Sequence, residues 1–401
     1  MTEPTYLGLR TKMVRPSPTI AMSARAGQLR REGRDIASLS VGEPDFPVPA
    51  HVAEAMVEAV KKGMTKYTAS SGTPELREAI VERTLQETGL KYTPAQALVC
   101  AGAKQALFNA CMALLDEGDQ AVIPNPYWVS YPDMVKLADG TPVELPMTAA
   151  DGWQPHPDRL QAVMNERTKI VMLGSPSNPT GAVWSEATLK GIADVLRRFP
   201  HAVALCDDIY GRIHFGKARA LTLLQVAPDL KDRVVVIDGC SKTYAMTGLR
   251  IGWALGPQPL IAAMNKVQDS STSNPNSVAQ HGAVAALRGP QGPVEEMVVA
   301  FEKRRDKMLA LLAAGGVSAV RPDGAFYCFA DVSKWLGKRR AGTPVDTTWR
   351  LAELLLEEHG VAAVPGAAFG AEGYLRLSFA CSDAEIAKGV QRLHEGLAAL
   401  E

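Results

Sequence analysis

The chain has 401 residues, with 43 Lys plus Arg against 43 Asp plus Glu, a hydrophobic fraction of 46% and a charged fraction of 21%. Zero formal net charge argues against a nucleic-acid partner, which would favour a basic face. The lack of any run of about 18 apolar residues argues against a membrane span.

At about 100–200 residues per domain, this length predicts two domains, and it suffices to bury a large core without disulfides. Cys100, Cys111, Cys206, Cys240, Cys328 and Cys381 form no C-x-x-C pair and no disulfide framework. They read as thiols in a reducing compartment. The N-terminal MTEPTYLGLRTKMVRP has no apolar stretch of signal-peptide type, so a cytoplasmic location is expected. His201 and His214 have no ligand set around them, and no metal is expected.

In chain order, residues 97–102 (ALVCAG) read as a strand, followed by a helical pattern, KQALFNACMALL. Further apolar runs are 120–124, 169–173 (KIVML, ending at GSPSNPTG), 202–206 (AVALC, ending at DDIY) and 233–238 (RVVVID, ending at GCSK). Near-continuous apolar strands separated by helices predict a mostly parallel sheet covered on both faces. From about residue 300 the pattern changes. A basic helical stretch, FEKRRDKMLALLAA, precedes GAFYCFADV, a helix over 349–359, the alternating strand YLRLSFA and a last helix. This reads as a smaller α+β domain. The expected division is 46–295 for a large domain, with 1–45 and 296–401 forming a split small one.

In a sheet of this kind ligands bind beyond the carboxyl ends of the strands, where the unusual polar segments fall. Lys242 follows an apolar run among small residues. It is either an exposed strand-end lysine or a poorly solvated amine able to form a Schiff base with an aldehyde. Asp207 leaves a hydrophobic strand and needs a partner, which could be a helix N-terminus or a protonated pyridine nitrogen. Tyr210, three residues later, and Asn178, in the turn GSPSNPTG, could reach a ring oxygen. Gly102, Ala103 and Lys104 lie where a helix N-terminus could accept a phosphate, with Arg250 as a cation near Gly248. Trp128 could stack on a flat ring or fill the core. Arg376 lies on one face of YLRLSFA with Tyr374 and Ser378 and needs an anion, either a carboxylate ligand or an internal partner.

Taken together, SVGEPDFPVP, KYTASSGTPELREAI, AGAKQALFN, NPYWVSYP, SPSNPTGAV, CDDIY, SKTYAMTGLRIGWALG, RPDGAFY and YLRLSFA resemble the class I aminotransferases of the fold type I pyridoxal-phosphate superfamily, from about Pro16 to the C-terminal helix. The resemblance implies an α/β fold: a large domain around a mostly parallel seven-stranded sheet, plus a smaller α+β domain. The implied cofactor is pyridoxal 5′-phosphate. Lys242 then resembles the lysine that bonds the cofactor and shuttles a proton, and Asp207 the partner of the pyridine nitrogen. Asn178 and Tyr210 resemble the donors to the phenolic oxygen. Arg250 with the backbone at Gly102, Ala103 and Lys104 resembles the phosphate cradle, and Trp128 the stacking ring. Gly42, Trp128, Asn178 and Arg376 resemble the substrate binders. Tyr67 is similar to a tyrosine that reaches the phosphate of a neighbouring subunit, which implies a homodimer with shared sites. Ala103 stands where relatives often carry Gly or Ser, and the Asp238-Gly239-Cys240-Ser241 lead-in to Lys242 varies from the common Asn-Gly version.

PSPTIAM and GAKQALFN resemble the bacterial aspartate/prephenate branch, in which the positions of Thr19 and Lys104 recognise the distal carboxylate of acidic substrates. The expected reaction is amino transfer from L-aspartate to 2-oxoglutarate, with prephenate as a further acceptor. Preference for aromatic or aliphatic amino acids, and a C–S β-lyase or decarboxylase on the same fold, are the alternatives. A ligand-sensing regulator would need a DNA-binding segment ahead of SVGEPDF, which begins at residue 40.

Overall fold

The apolar runs form five strands of a seven-stranded sheet in the computed structural model, which describes residues 6–14 and 16–401. Residues 1–5 and 15 of the expected small domain lie outside the described residues. The strands are β1 (Ala97–Cys100), β2 (Gln120–Asn125), β3 (Thr141–Pro146), β4 (Thr168–Gly174), β5 (Val203–Asp207), β6 (Val234–Gly239) and β7 (Gly252–Leu255), in the spatial order β1-β7-β6-β5-β4-β2-β3. Six run one way, and β7 alone runs against its neighbours β1 and β6. The sheet is mostly parallel and seven-stranded, as expected.

The strands announced by apolar runs are legible because helices cover both faces: all four residues of β1 are buried although it lies at the sheet's edge, as are Val234, Val235, Val236 and Ile237 of β6. No apolar run announces β3, an edge strand with Thr141, Glu144 and Pro146 exposed. Nor does one announce β7, four residues long and opening on a glycine.

This topology places the polar segments together. The turns after β1, β2, β4, β5 and β6 all leave the carboxyl edge of the sheet. Because β7 is reversed, its first residues start from that same edge, which brings Arg250 beside Gly102. Gly252 is required there, since a Cβ on it would lie 2.3 Å from the Ala103 nitrogen.

A second core buries Met22, Leu29, Ile36 and Leu39 with Phe301, Met308, Leu354, Leu377 and Leu393. Ala37–Ser38 pairs in parallel with Val361–Ala362, so the segment before the large sheet is bonded to the end of the chain. A four-stranded antiparallel sheet supports this core: β8 (Ser318–Ala319), β9 (Tyr327–Asp331), β10 (Val364–Pro365) and β11 (Tyr374–Ser378), in the order β10-β11-β9-β8. The 23-residue helix Gly292–Ala314 passes from the first core, at Val294, to the second, at Met297 and Phe301. Among the described residues, no helix is long and apolar enough to cross a membrane.

Candidate active site

One cavity of about 800 Å³ opens at the carboxyl edge of the large sheet, and residues 40–43 and Arg376 close its far side. Lys242, on the one-turn helix Cys240–Thr243 that follows β6, lines it. Its Nζ donates to the Gly42 carbonyl at 2.6 Å. Burial lowers the lysine's pKa to about 8. Glu43 and Asp207 oppose that shift, while the charges of Arg376 and Arg250 add to it.

Asp207, 6% exposed at the end of β5, lines the same cavity. Its Oδ2 accepts from the Tyr131 hydroxyl at 2.7 Å, and its Oδ1 accepts only a long, 3.4 Å bond from the Ile209 N–H. Burial raises its pKa to about 6. The Tyr131 and Ile209 donors and the charge of Lys242 pull the other way.

Arg376, 2% exposed on β11, projects from the small-domain side. Nη1 donates to Asn178 Oδ1 at 3.0 Å and Nη2 to the Ser40 carbonyl at 2.8 Å, while Nε is buried without a partner. Its guanidinium lies between the rings of Tyr327 and Phe369, with centroids at 4.4 and 5.0 Å. Tyr327 shares a 2.8 Å hydroxyl contact with Tyr210, so the tyrosine expected to face a ring oxygen is itself held by a second one.

At the opposite end, Ala103 and Lys104 begin the helix Ala103–Leu114, which no side chain caps. Its first N–H groups are therefore left for an anion. Gly102, at φ +90°, does not line the cavity but makes the cradle: a Cβ on it would lie 2.6 Å from Arg250 Nη2. Arg250, in the left-handed region at φ +57°, donates to the carbonyls of Thr247 and Ala101 at 2.9 and 3.3 Å. Trp128 lines the wall beyond β2, with Lys104 Nζ 4.9 Å from its ring centroid. Partial burial, then the charge of Arg250, holds the Lys104 amine below the usual lysine range. Thr19, near the start of the helix Pro18–Arg31, lines the rim, and its hydroxyl contacts that of Ser17 at 2.9 Å.

The cavity thus gathers Thr19, Gly42, Ala103, Lys104, Trp128, Asn178, Asp207, Tyr210, Lys242, Arg250 and Arg376. Tyr67 is not among them: it is 94% exposed and lies outside this chain's cavity. Residue patterns had not singled out Tyr131, Tyr327 or Glu43. Tyr131 stands three residues after Trp128, a spacing that puts the two on one side of a turn. Tyr327 and Phe329 alternate on β9, where register sets Phe329 opposite Arg376. Among the described residues, no group of His, Cys, Asp and Glu could hold a metal ion.

Fold and site together define an α/β enzyme built around a partly desolvated lysine, with anion-binding groups at both ends of its cavity. The family described as aminotransferase class I and II matches residues 34–393. The aspartate/prephenate aminotransferase of Nitrosomonas europaea is 42% identical over 390 residues, covering 96% of this chain and 98% of that protein. The structure of the aspartate aminotransferase from Rhizobium meliloti superposes with a TM-score of 0.95 at 42% identity, covering 99% of this chain and all of that one. That of the Thermus thermophilus aspartate aminotransferase with maleate gives 0.92 at 39% identity, covering 98% and 100%. The chain belongs to the class I and II aminotransferases.

Proposed function

We propose that this aminotransferase uses pyridoxal 5′-phosphate to move the amino group of L-aspartate to a 2-oxo acid, 2-oxoglutarate first and prephenate as a further acceptor. The observation that carries the reading is that Lys242, partly desolvated, and Asp207, buried, face one cavity. The donor set fits the cofactor. The Gly102 cradle, the uncapped helix start and Arg250 suit a phosphate, and Asp207 has an oxygen with only one long bond. The buried Arg376 Nε has no partner, as expected of a group awaiting a carboxylate.

When bound, the cofactor supplies an aldehyde that takes up the amino group and a ring that draws electrons from the substrate's α-carbon. The protein does the rest. Asp207 would hold positive charge at the ring nitrogen. Asn178 and Tyr210 would donate to the phenolic oxygen, and Trp128 would cover a face of the ring. Arg376 grips the substrate's α-carboxylate bidentately and orients the Cα–H bond. The Lys242 amine, with a pKa of about 8, would take the proton from the substrate's Cα and deliver it to the carbon that carried the cofactor's aldehyde, a general acid–base step.

Lys104 and Thr19 at the rim support a dicarboxylic substrate, as do relatives named for aspartate and prephenate. We take 46–295 as the cofactor domain and 1–45 with 296–401 as the small one. The pairing of Ala37–Ser38 with Val361–Ala362 supports that division. We also infer a homodimer with shared sites. Its support is Tyr67, 94% exposed, which follows in sequence Val57 and Val60, 54% and 55% exposed on one face of the helix Ala50–Lys61. Six free cysteines suit the cytoplasm.

The test is a steady-state assay of L-aspartate with 2-oxoglutarate, following oxaloacetate and glutamate, run beside L-phenylalanine and L-alanine as donors. Equimolar oxaloacetate and glutamate, with aspartate preferred, is the expected result. Release of ammonia and pyruvate from cystathionine in place of transfer would overturn it.

A further inference from the structure

We propose that Tyr131 is a positioning residue that sets the Asp207 carboxylate and the Trp128 ring relative to each other, so that one side chain aligns the edge and face contacts on the flat ring of the cofactor. The inference rests on the pyridoxal-phosphate reading above.

Tyr131 opens the short helix Tyr131–Leu137, and its N–H donates to the Trp128 carbonyl at 3.0 Å. It is 8% exposed. Its ring meets Trp128 edge-on, with centroids 5.4 Å apart and planes at 86°. Its hydroxyl donates to Asp207 Oδ2 at 2.7 Å, across 76 residues of sequence. The other Asp207 oxygen has only the 3.4 Å bond from Ile209, so the tyrosine determines how the carboxylate is rotated. Gly174, at the end of β4, leaves room for the hydroxyl: a Cβ there would stand 3.2 Å from Tyr131 Oη. A residue that only filled space would need no hydroxyl, and phenylalanine would serve as well. Burial pushes the phenol's own ionisation well up, so it remains a donor wherever the enzyme works. The other titratable groups around Asp207 are Lys242 and Tyr210 on the cavity side and Cys206, Asp208 and Asp238 behind it.

The test uses the full chain stripped of cofactor. Affinity for pyridoxal 5′-phosphate is titrated from about pH 5 to about pH 9 for the wild type, Tyr131→Phe, Asp207→Asn and the double variant. Both the wild type and Tyr131→Phe should bind. Tyr131→Phe should bind roughly tenfold more weakly near neutrality, the scale of a hydrogen bond to a charged group. Its acid-side loss of affinity should begin about one pH unit higher, because the carboxylate has lost the donor that favours its ionised form. In the Asp207→Asn background, the further change at Tyr131 should alter affinity less than about twofold. Gly174→Ala keeps the phenol but crowds its hydroxyl. It should shift the profile the same way, and it carries the test if Tyr131→Phe does not fold. A Tyr131→Phe protein that matches wild type, or that loses as much with Asp207→Asn as without it, would overturn the proposal. A wild type that takes up no pyridoxal phosphate would instead overturn the functional reading, and this inference with it.

Discussion

The amine of Lys242 donates a 2.6 Å hydrogen bond to the backbone carbonyl of Gly42, 200 residues earlier in the chain. This contact ties the segment that closes the cavity to the turn that leaves β6, and it aims the amine into the space between Asp207 and Arg376. With burial bringing its pKa to about 8, the rate at which the cofactor-free protein captures pyridoxal phosphate should rise with pH and level off above about 8. Lys242→Ala should abolish that capture and lower turnover at least about a thousandfold. It should not lower the melting temperature at pH 7. The folded pKa lies below the unfolded value, so charging this amine opposes folding there. Stopped-flow absorbance and thermal melts check both outcomes.

Asp207 gives the opposite sign. Its folded pKa of about 6 exceeds the ordinary carboxylate value, so the folded state holds a proton that the unfolded chain releases between those values. Without ligand, stability owed to this group is present at low pH and is lost as pH rises through about 6. Asp207→Asn should therefore stabilise the ligand-free protein at pH 8, by about 1–3 kcal/mol, with the gain vanishing below about pH 4. Turnover should fall at least about a hundredfold, because an amide cannot hold the ring nitrogen protonated. Melts at the two pH values, together with the steady-state rate, measure this.

Arg376→Lys keeps the charge and loses the fork. Lysine cannot lie between Tyr327 and Phe369 while reaching Asn178, Ser40 and a carboxylate together. The KM for every amino donor should rise about 10–100-fold, whatever its side chain, because the α-carboxylate is common to all of them. Initial rates with aspartate and with phenylalanine give the comparison, and an effect confined to one donor would contradict the role.

Lys104→Ala should instead separate donors. With its rim cation gone, kcat/KM for aspartate should fall about 10–100-fold while that for phenylalanine changes little. A parallel fall for both donors would mean that Lys104 serves the phosphate alone.

How far the sequence reads depends on how local each cause is. β1, β2, β4, β5 and β6 were legible because burial on both faces leaves a continuous apolar run, even in β1 at the edge of the sheet. β3 was not, since an exposed edge with two prolines carries no such signal, and β7 was hidden by its brevity. Lys242 and Asp207 stood out as polar groups leaving apolar strands. Tyr131 and Tyr327 did not, because their partners lie 76 and 117 residues away and a tyrosine amid apolar residues reads as core. The Gly102–Arg250 approach likewise follows from the reversal of β7, which residue patterns alone do not reveal. Tyr67 lies outside the single-chain cavity, so the role implied for it by resemblance is one that a single chain cannot display.

The measurement that bears most directly on the account is the absorbance spectrum of the purified protein with pyridoxal phosphate, before and after adding L-aspartate without an acceptor. A yellow band that fades on adding aspartate and returns with 2-oxoglutarate is the predicted result. A protein that never turns yellow, or a yellow band that aspartate leaves untouched while another amino acid bleaches it, would contradict the cofactor in the first case and the substrate in the second.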